Sequence, residues 1–175
     1  ERVSFGTQFD MRVPGVVYRP ANASGAQAPA VIVVNGHGGD KYSWYAFYTG
    51  ILYARAGAVV LTYDPTGEGE RNIERRSGTR AHDAVEEPEL LAPWVAGLMM
   101  TDLMQAVSYL CGRPDVDAAR IAAVGYSLGS YVVAITGAVD ARIRACVHAG
   151  GGNLDGPGEY WDNTKPMCTA TPYRA

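Results

Sequence analysis

Hydrophobic positions fall into short runs broken by glycine and proline, and the character of the runs changes along the chain. The first two, Arg2 to Phe9 and Met11 to Tyr18, read as extended, with Val13, Val16, Val17 and Tyr18 in the second. Pro14-Gly15 interrupts that second run, which points to edge strands or a hairpin. Pro20 to Pro29, rich in Ala, Asn, Ser and Gly, reads as a surface loop. Ala30-Val-Ile-Val-Val34 and Ala58-Val-Val-Leu-Thr-Tyr63 are continuous β-branched or apolar runs, the pattern of strands covered on both faces of a parallel sheet. Between them, Tyr42 to Ala56 places Trp44, Phe47, Tyr48, Ile51 and Leu52 at helical spacing, with Asp40 or Ser43 as N-cap and Gly57 as the stop. Thr66 to Glu89 carries 7 acidic residues and 4 arginines with few apolar ones, and reads as a long exposed loop. Val95, Met99, Leu103, Val107 and Leu110 mark a helix bracketed by Pro93 and Gly112. Asp115 to Arg120 reads as a turn, followed by an apolar strand to Tyr126 and a second apolar segment beyond it. Ala141 to Ala149 is a last strand before Gly150-Gly151-Gly152.

Four strands alternating with helices at the spacing of βαβ units predict an α/β fold with a mostly parallel sheet, helices on both faces and antiparallel strands at the N-terminal side. Composition changes this picture little: 175 residues, 47% hydrophobic, 19% charged and a net charge of -3 suit one globular domain over residues 1–175. The charge balance speaks against a nucleic-acid partner. No apolar run approaches the roughly 18 residues of a membrane span, so no membrane partner is expected. The sequence starts at Glu1 without a methionine, which leaves earlier trimming open. Cys111, Cys146 and Cys168 lack metal-ligand spacing, and Cys146 is read as a small buried thiol in its strand. Neither a metal nor an organic cofactor is expected.

The sharpest signal is Gly125-Tyr-Ser-Leu-Gly129 between the strand and the apolar segment that follows, a strand, sharp turn and helix that form a nucleophile elbow. Glycine is needed at 125 and 129 because strand and helix backbones approach closely there. Ser127, at the point of the turn, is pushed toward solvent in a strained conformation and becomes the candidate nucleophile.

Together with Asn35-Gly-His-Gly-Gly-Asp-Lys41, Tyr63-Asp-Pro-Thr-Gly-Glu-Gly-Glu-Arg71 and Asp117-Ala-Ala-Arg-Ile121, this elbow resembles the α/β-hydrolase superfamily, within it the acetyl xylan esterase-like and dienelactone-hydrolase-like branch. Ser130 departs from a glycine common in such esterases. The resemblance implies acyl transfer to Ser127 from a small-molecule ester, of acetyl type in that branch. It also implies an oxyanion hole made by the backbone N–H of Leu128 and that of His37, with Gly38 as the near alternative. A peptidase or thioesterase shares this chemistry, and a non-catalytic relic of the fold is the third reading.

A serine hydroxyl needs an imidazole to take its proton and a carboxylate to orient that imidazole. In the family both follow the elbow in chain order, and here no histidine follows His148. His82, beside Asp83, is read as a solvated loop histidine and His148 as one satisfied at a strand end, while Asp155 or Asp162 could supply the acid. Glu68, Glu70 and Arg71 read as an ion-pair turn, to which the resemblance adds a role in holding the cleft loops. Trp44, Tyr160 and Trp161 are read as pocket or packing residues. A parallel sheet that stops at Ala149 leaves an apolar edge. The expectation is therefore the N-terminal, nucleophile-bearing portion of a larger α/β-hydrolase, its C-terminal strands, triad acid and histidine supplied by a missing segment or a second chain.

Overall fold

The computed structural model describes residues 1–21, 26–73, 75 and 88–150. His82, Asp83, Asp155, Tyr160, Trp161, Asp162 and Cys168 lie outside the described residues, so the readings placed on them stay as expectations. Six strands, β1 (Arg2–Gly6), β2 (Arg12–Tyr18), β3 (Ala28–Val34), β4 (Val59–Tyr63), β5 (Val116–Tyr126) and β6 (Ile143–Ala149), form one sheet in the order β1-β2-β4-β3-β5-β6. β1 and β2 form an antiparallel hairpin, and β2 runs antiparallel to β4. The pairs β3 with β4, β3 with β5 and β5 with β6 are parallel. Helix α1 (Trp44–Arg55) covers one face of the sheet, and α2 (Pro88–Cys111) and α3 (Leu128–Val139) pack together on the other. This is the fold class expected from the alternating pattern.

The β-branched runs behave as their composition dictates. Ile32, Val33, Val59, Val60 and Leu61 are buried from both sides, and the larger core joins them to Leu103, Val107 and Leu110 of α2 and Val132 and Val133 of α3. Among the described residues no helix is long and apolar enough to cross a membrane.

Helix α1 packs by its small residues, and four expectations are corrected. In α1 the bulky residues face outward: Trp44, Phe47, Tyr48 and Leu52 are exposed, while Ala46, Thr49, Gly50 and Ala54 are buried. The small residues let the helix lie close to the sheet, so close that a Cβ on Gly50 would stand 2.5 Å from the Tyr18 ring. Helix α2 starts at Pro88 and runs through Pro93, which forgoes one backbone hydrogen bond inside it. Val116 to Arg120 belongs to β5 rather than to a turn, with Val116 paired to Ala28 across an irregular register. Cys146 is exposed instead of buried, on β6, the outermost of the described strands. Finally, the turn after β4 folds inward: Glu68 is only 1% exposed, against the long exposed loop expected from its charge.

Candidate active site

The elbow forms where the pattern puts it. β5 ends at Tyr126, α3 begins at Leu128, and Ser127 between them has φ 49° and ψ -116° and is exposed. A left-handed φ on a serine is strained and persists only where the surroundings impose it. Here they do: a Cβ on Gly125 would run into the Gly129 carbonyl, and one on Gly129 into the carbonyls of Val34 and Asn35. The end of β3 therefore lies backbone to backbone against the elbow. Gly129→Ala is expected to destabilise the fold by about 1–3 kcal/mol, as forced overpacking does, measured by denaturant unfolding.

Hydrogen bonds hold the turn from beneath. Ser127 N–H donates to Ala149 O at 3.0 Å and Ser130 N–H to Ser127 O at 2.8 Å. The Ser130 hydroxyl, fully buried, donates to Gly125 O at 2.7 Å, so the residue that departs from the family glycine ties the strand to the helix. His148 Nδ1 lies 3.2 Å from Ser130 O and faces the backbone of α3. The reading of His148 as a histidine satisfied at its strand end fits that contact.

The loop after β3 sits over this turn. A Cβ on Gly36 would meet Tyr126 O at 2.8 Å and the Ser127 Cβ at 3.2 Å, so only glycine lets the loop rest on the elbow. Asn35, buried at the end of β3, donates to Tyr63 O at 2.8 Å and binds the ends of β3 and β4 together. Gly36 N–H donates to the Tyr45 hydroxyl at 3.0 Å, and the Tyr45 ring lies 4.6 Å from that of Tyr126, the residue before Ser127, tilted at 36° to it. Burial pushes the Tyr45 phenol above its ordinary value, which keeps it protonated. The Tyr126 hydroxyl is in turn 2.7 Å from that of Thr49. Trp44, at the start of α1, stands edge-on to Tyr45 and is largely exposed.

Of the amides expected to face an oxyanion, that of Leu128 is in the first turn of α3, where an N–H has no acceptor within the helix. That of His37 lies in the loop over the elbow. The Gly38 N–H is turned elsewhere: it donates to Glu68 Oε1 at 3.0 Å. In this structure the Gly38 amide is therefore engaged by a carboxylate.

Beneath the loop runs a set of charges, buried but for the exposed Glu70, that composition disguised as solvated. Lys41, 1% exposed, donates from Nζ to Asp64 Oδ2 at 2.5 Å and to Glu70 Oε1 at 2.7 Å. Asp64, fully buried, also accepts the backbone N–H of Lys41 at 3.0 Å and of Glu70 at 2.9 Å. Burial pulls the Lys41 ammonium down, but its hydrogen bonds to Asp64 and Glu70 outweigh that and leave it above its ordinary value. Glu70 is held below the usual carboxylate range, first by the hydrogen bond from Lys41. Arg71 pairs with the buried Asp102 of α2, whose Oδ2 also accepts from the Thr66 hydroxyl at 3.1 Å. Lys41, Asp64, Asp102 and Tyr45 are the residues that sequence reasoning missed. The signal available was the position of Lys41 and Asp64 at the carboxyl ends of adjacent buried strands, where side chains converge. Among the described residues no cluster of His, Cys, Asp and Glu could hold a metal ion.

Residues 31–172 match the alpha/beta hydrolase family. Hydrolase ORFZ of Pyricularia oryzae is 30% identical over 156 residues, which take in 87% of this chain and 32% of that protein. Dienelactone hydrolase from Anabaena variabilis superposes with a TM-score of 0.66 at 21% identity, over 88% of this chain and 64% of that one. A Bacteroides fragilis protein assigned as an acetyl xylan esterase gives 0.65 at 19% identity, over 83% of this chain and 46% of that one. At these identities the two structures speak to fold alone. The chain spans about a third of the length of its Pyricularia relative.

Proposed function

We propose that this chain, which belongs to the α/β-hydrolase family, is the nucleophile-bearing part of a serine ester hydrolase that transfers a small acyl group to Ser127. The observation that carries this reading is the conformation of Ser127, exposed at φ 49° between two glycines that the packing makes obligatory.

On this reading Ser127 Oγ attacks the ester carbonyl carbon, the carbonyl π electrons move to oxygen, and a general base takes the hydroxyl proton. The N–H groups of Leu128 and His37 receive the oxyanion, an electrostatic contribution in which one donor typically represents about 3 kcal/mol of barrier. Collapse expels the alcohol, which takes the proton from the base acting as acid, and water repeats the steps on the acyl-enzyme. No metal and no organic cofactor enters. His148 Nδ1 faces Ser130 O in α3, and on this reading the base is a histidine from beyond this segment, oriented by a carboxylate also from beyond it. A further strand, from a C-terminal segment or a second chain, completes the sheet at β6, which among the described residues pairs with β5 only and leaves Val147 48% exposed.

Substrate class is tested by comparing hydrolysis of p-nitrophenyl acetate, longer-chain esters, acyl thioesters and aminoacyl amides by the full-length protein. The acetyl ester is expected to be hydrolysed fastest. Faster turnover of the amide or thioester would move the assignment to a peptidase or thioesterase on the same fold.

A further inference from the structure

We propose that Glu68 is a positioning residue for acyl transfer: its carboxylate holds the Gly38 amide and thereby sets the direction of the His37 N–H beside Ser127. This assignment rests on the reading above, in which Ser127 is the nucleophile and His37 an oxyanion donor.

The loop from Asn35 to Asp40 crosses the elbow with its amides tied one after another. Gly36 N–H is bonded to the Tyr45 hydroxyl at 3.0 Å, Gly38 N–H to Glu68 Oε1 at 3.0 Å, and Gly39 N–H to Gly36 O at 2.9 Å. The His37 amide lies between fixed neighbours. The planar peptide unit that carries the His37 N–H has Gly36 O at its other end, so the bond from Gly39 N–H to that oxygen holds it directly, while the Tyr45 and Glu68 ties fix the units before and after it. Gly38, at φ 77°, is the one residue of this set in a left-handed conformation, where release would open the widest range of alternatives. Among the described residues Glu68 restrains it from outside the loop, through the bond to its amide.

Glu68 is itself well anchored. Its N–H donates to Pro65 O at 3.0 Å and its carbonyl accepts from Arg71 N–H at 2.9 Å, and the side chain is 1% exposed. Placing a carboxylate that deep is costly unless strong hydrogen bonds compensate it. A carboxylate also lends no direct help to a developing oxyanion nearby, since like charges repel. The useful part of Glu68 is therefore its acceptor oxygen and the fixed position of that oxygen, not its charge. Lys41 and Asp64 hold the far end of the same loop, three residues on, whereas Glu68 acts next to the donor.

The test measures kcat and KM of Glu68→Ala and Glu68→Gln in the full-length protein, with rates expressed per site labelled by a fluorophosphonate. Labelled-site counting removes any unfolded fraction from the comparison. Misdirecting one donor is expected to lower kcat of Glu68→Ala about tenfold to a hundredfold with little change in KM, and to weaken binding of a boronic acid transition-state analogue in parallel. Glu68→Gln keeps an acceptor for Gly38 and is expected to recover most of the loss. Tyr45→Phe, which removes the tie at Gly36, is expected to lower kcat in the same way and serves if Glu68→Ala does not fold. A Glu68→Ala protein with unchanged kcat per labelled site, or a folded Glu68→Gln protein as impaired as Glu68→Ala, would overturn the assignment. Wild-type protein that does not label at Ser127 would instead strike the acyl-transfer reading on which it rests.

Discussion

Ser127→Ala is expected to lower kcat/KM for an acetyl ester by about 10⁴-fold or more, because covalent catalysis loses its nucleophile while the oxyanion donors remain to give only residual rate. The fold should survive the change. Strain at residue 127 comes from φ 49°, which alanine and serine share, and from the backbone contacts of Gly125, Gly129 and Gly36 around it. The Ser127 N–H bond to Ala149 O and the Ser130 N–H bond to Ser127 O are made by backbone atoms and are retained. Unchanged circular dichroism together with the rate loss separates a missing nucleophile from a collapsed elbow. A rate within tenfold of wild type would place the chemistry elsewhere.

The second large effect is on stability. Asp64→Ala leaves the buried Lys41 ammonium without its nearest carboxylate and also deprives the Lys41 and Glu70 amides of their acceptor. Breaking a buried pair from one side in this way costs about 3–5 kcal/mol, read as a lower denaturant midpoint at constant slope. Lys41→Met is expected to destabilise as well, since it leaves the carboxylate uncompensated. The double variant should lose less than the sum of the two, with a coupling of about 0.5–3 kcal/mol for residues in direct contact. Strict additivity would show that the pair does not act as a unit.

The parts of the fold that were legible share a cause. Val33, Val60 and their neighbours sit in strands covered on both faces, so their β-branched runs carry no polar positions to confuse the pattern. The elbow was legible because its steric demand is local: glycine at 125 and 129 follows from close backbone approach, and the structure supplies the approaching carbonyls. Helix α1 was legible as a helix but not in the face it buries. Bulk at Trp44, Phe47, Tyr48 and Leu52 has the spacing of a core face, yet the close seat on the sheet belongs to Ala46, Thr49, Gly50 and Ala54. Small residues give a weak signal in any hydrophobicity pattern, although they repeat with the same helical period.

The site was legible in its serine and less so in its support. Charge reads as solvent exposure when taken one residue at a time. Lys41, Asp64, Glu68 and Asp102 are buried because they meet partners 20 or more residues away in sequence, and no local spacing announces such partners. The bond from the Gly38 amide to Glu68, beyond the end of the next strand, was hidden for the same reason.

The most direct test of the central claim is the intact mass of the full-length protein before and after reaction with a fluorophosphonate, with Ser127→Ala as control. The probe phosphonylates a serine, with loss of fluoride, only where a base and oxyanion donors have activated it. One adduct on the wild-type chain, absent from Ser127→Ala, is the expected result and would establish Ser127 as an activated nucleophile. No adduct on the wild-type chain, or one that Ser127→Ala retains, would contradict it.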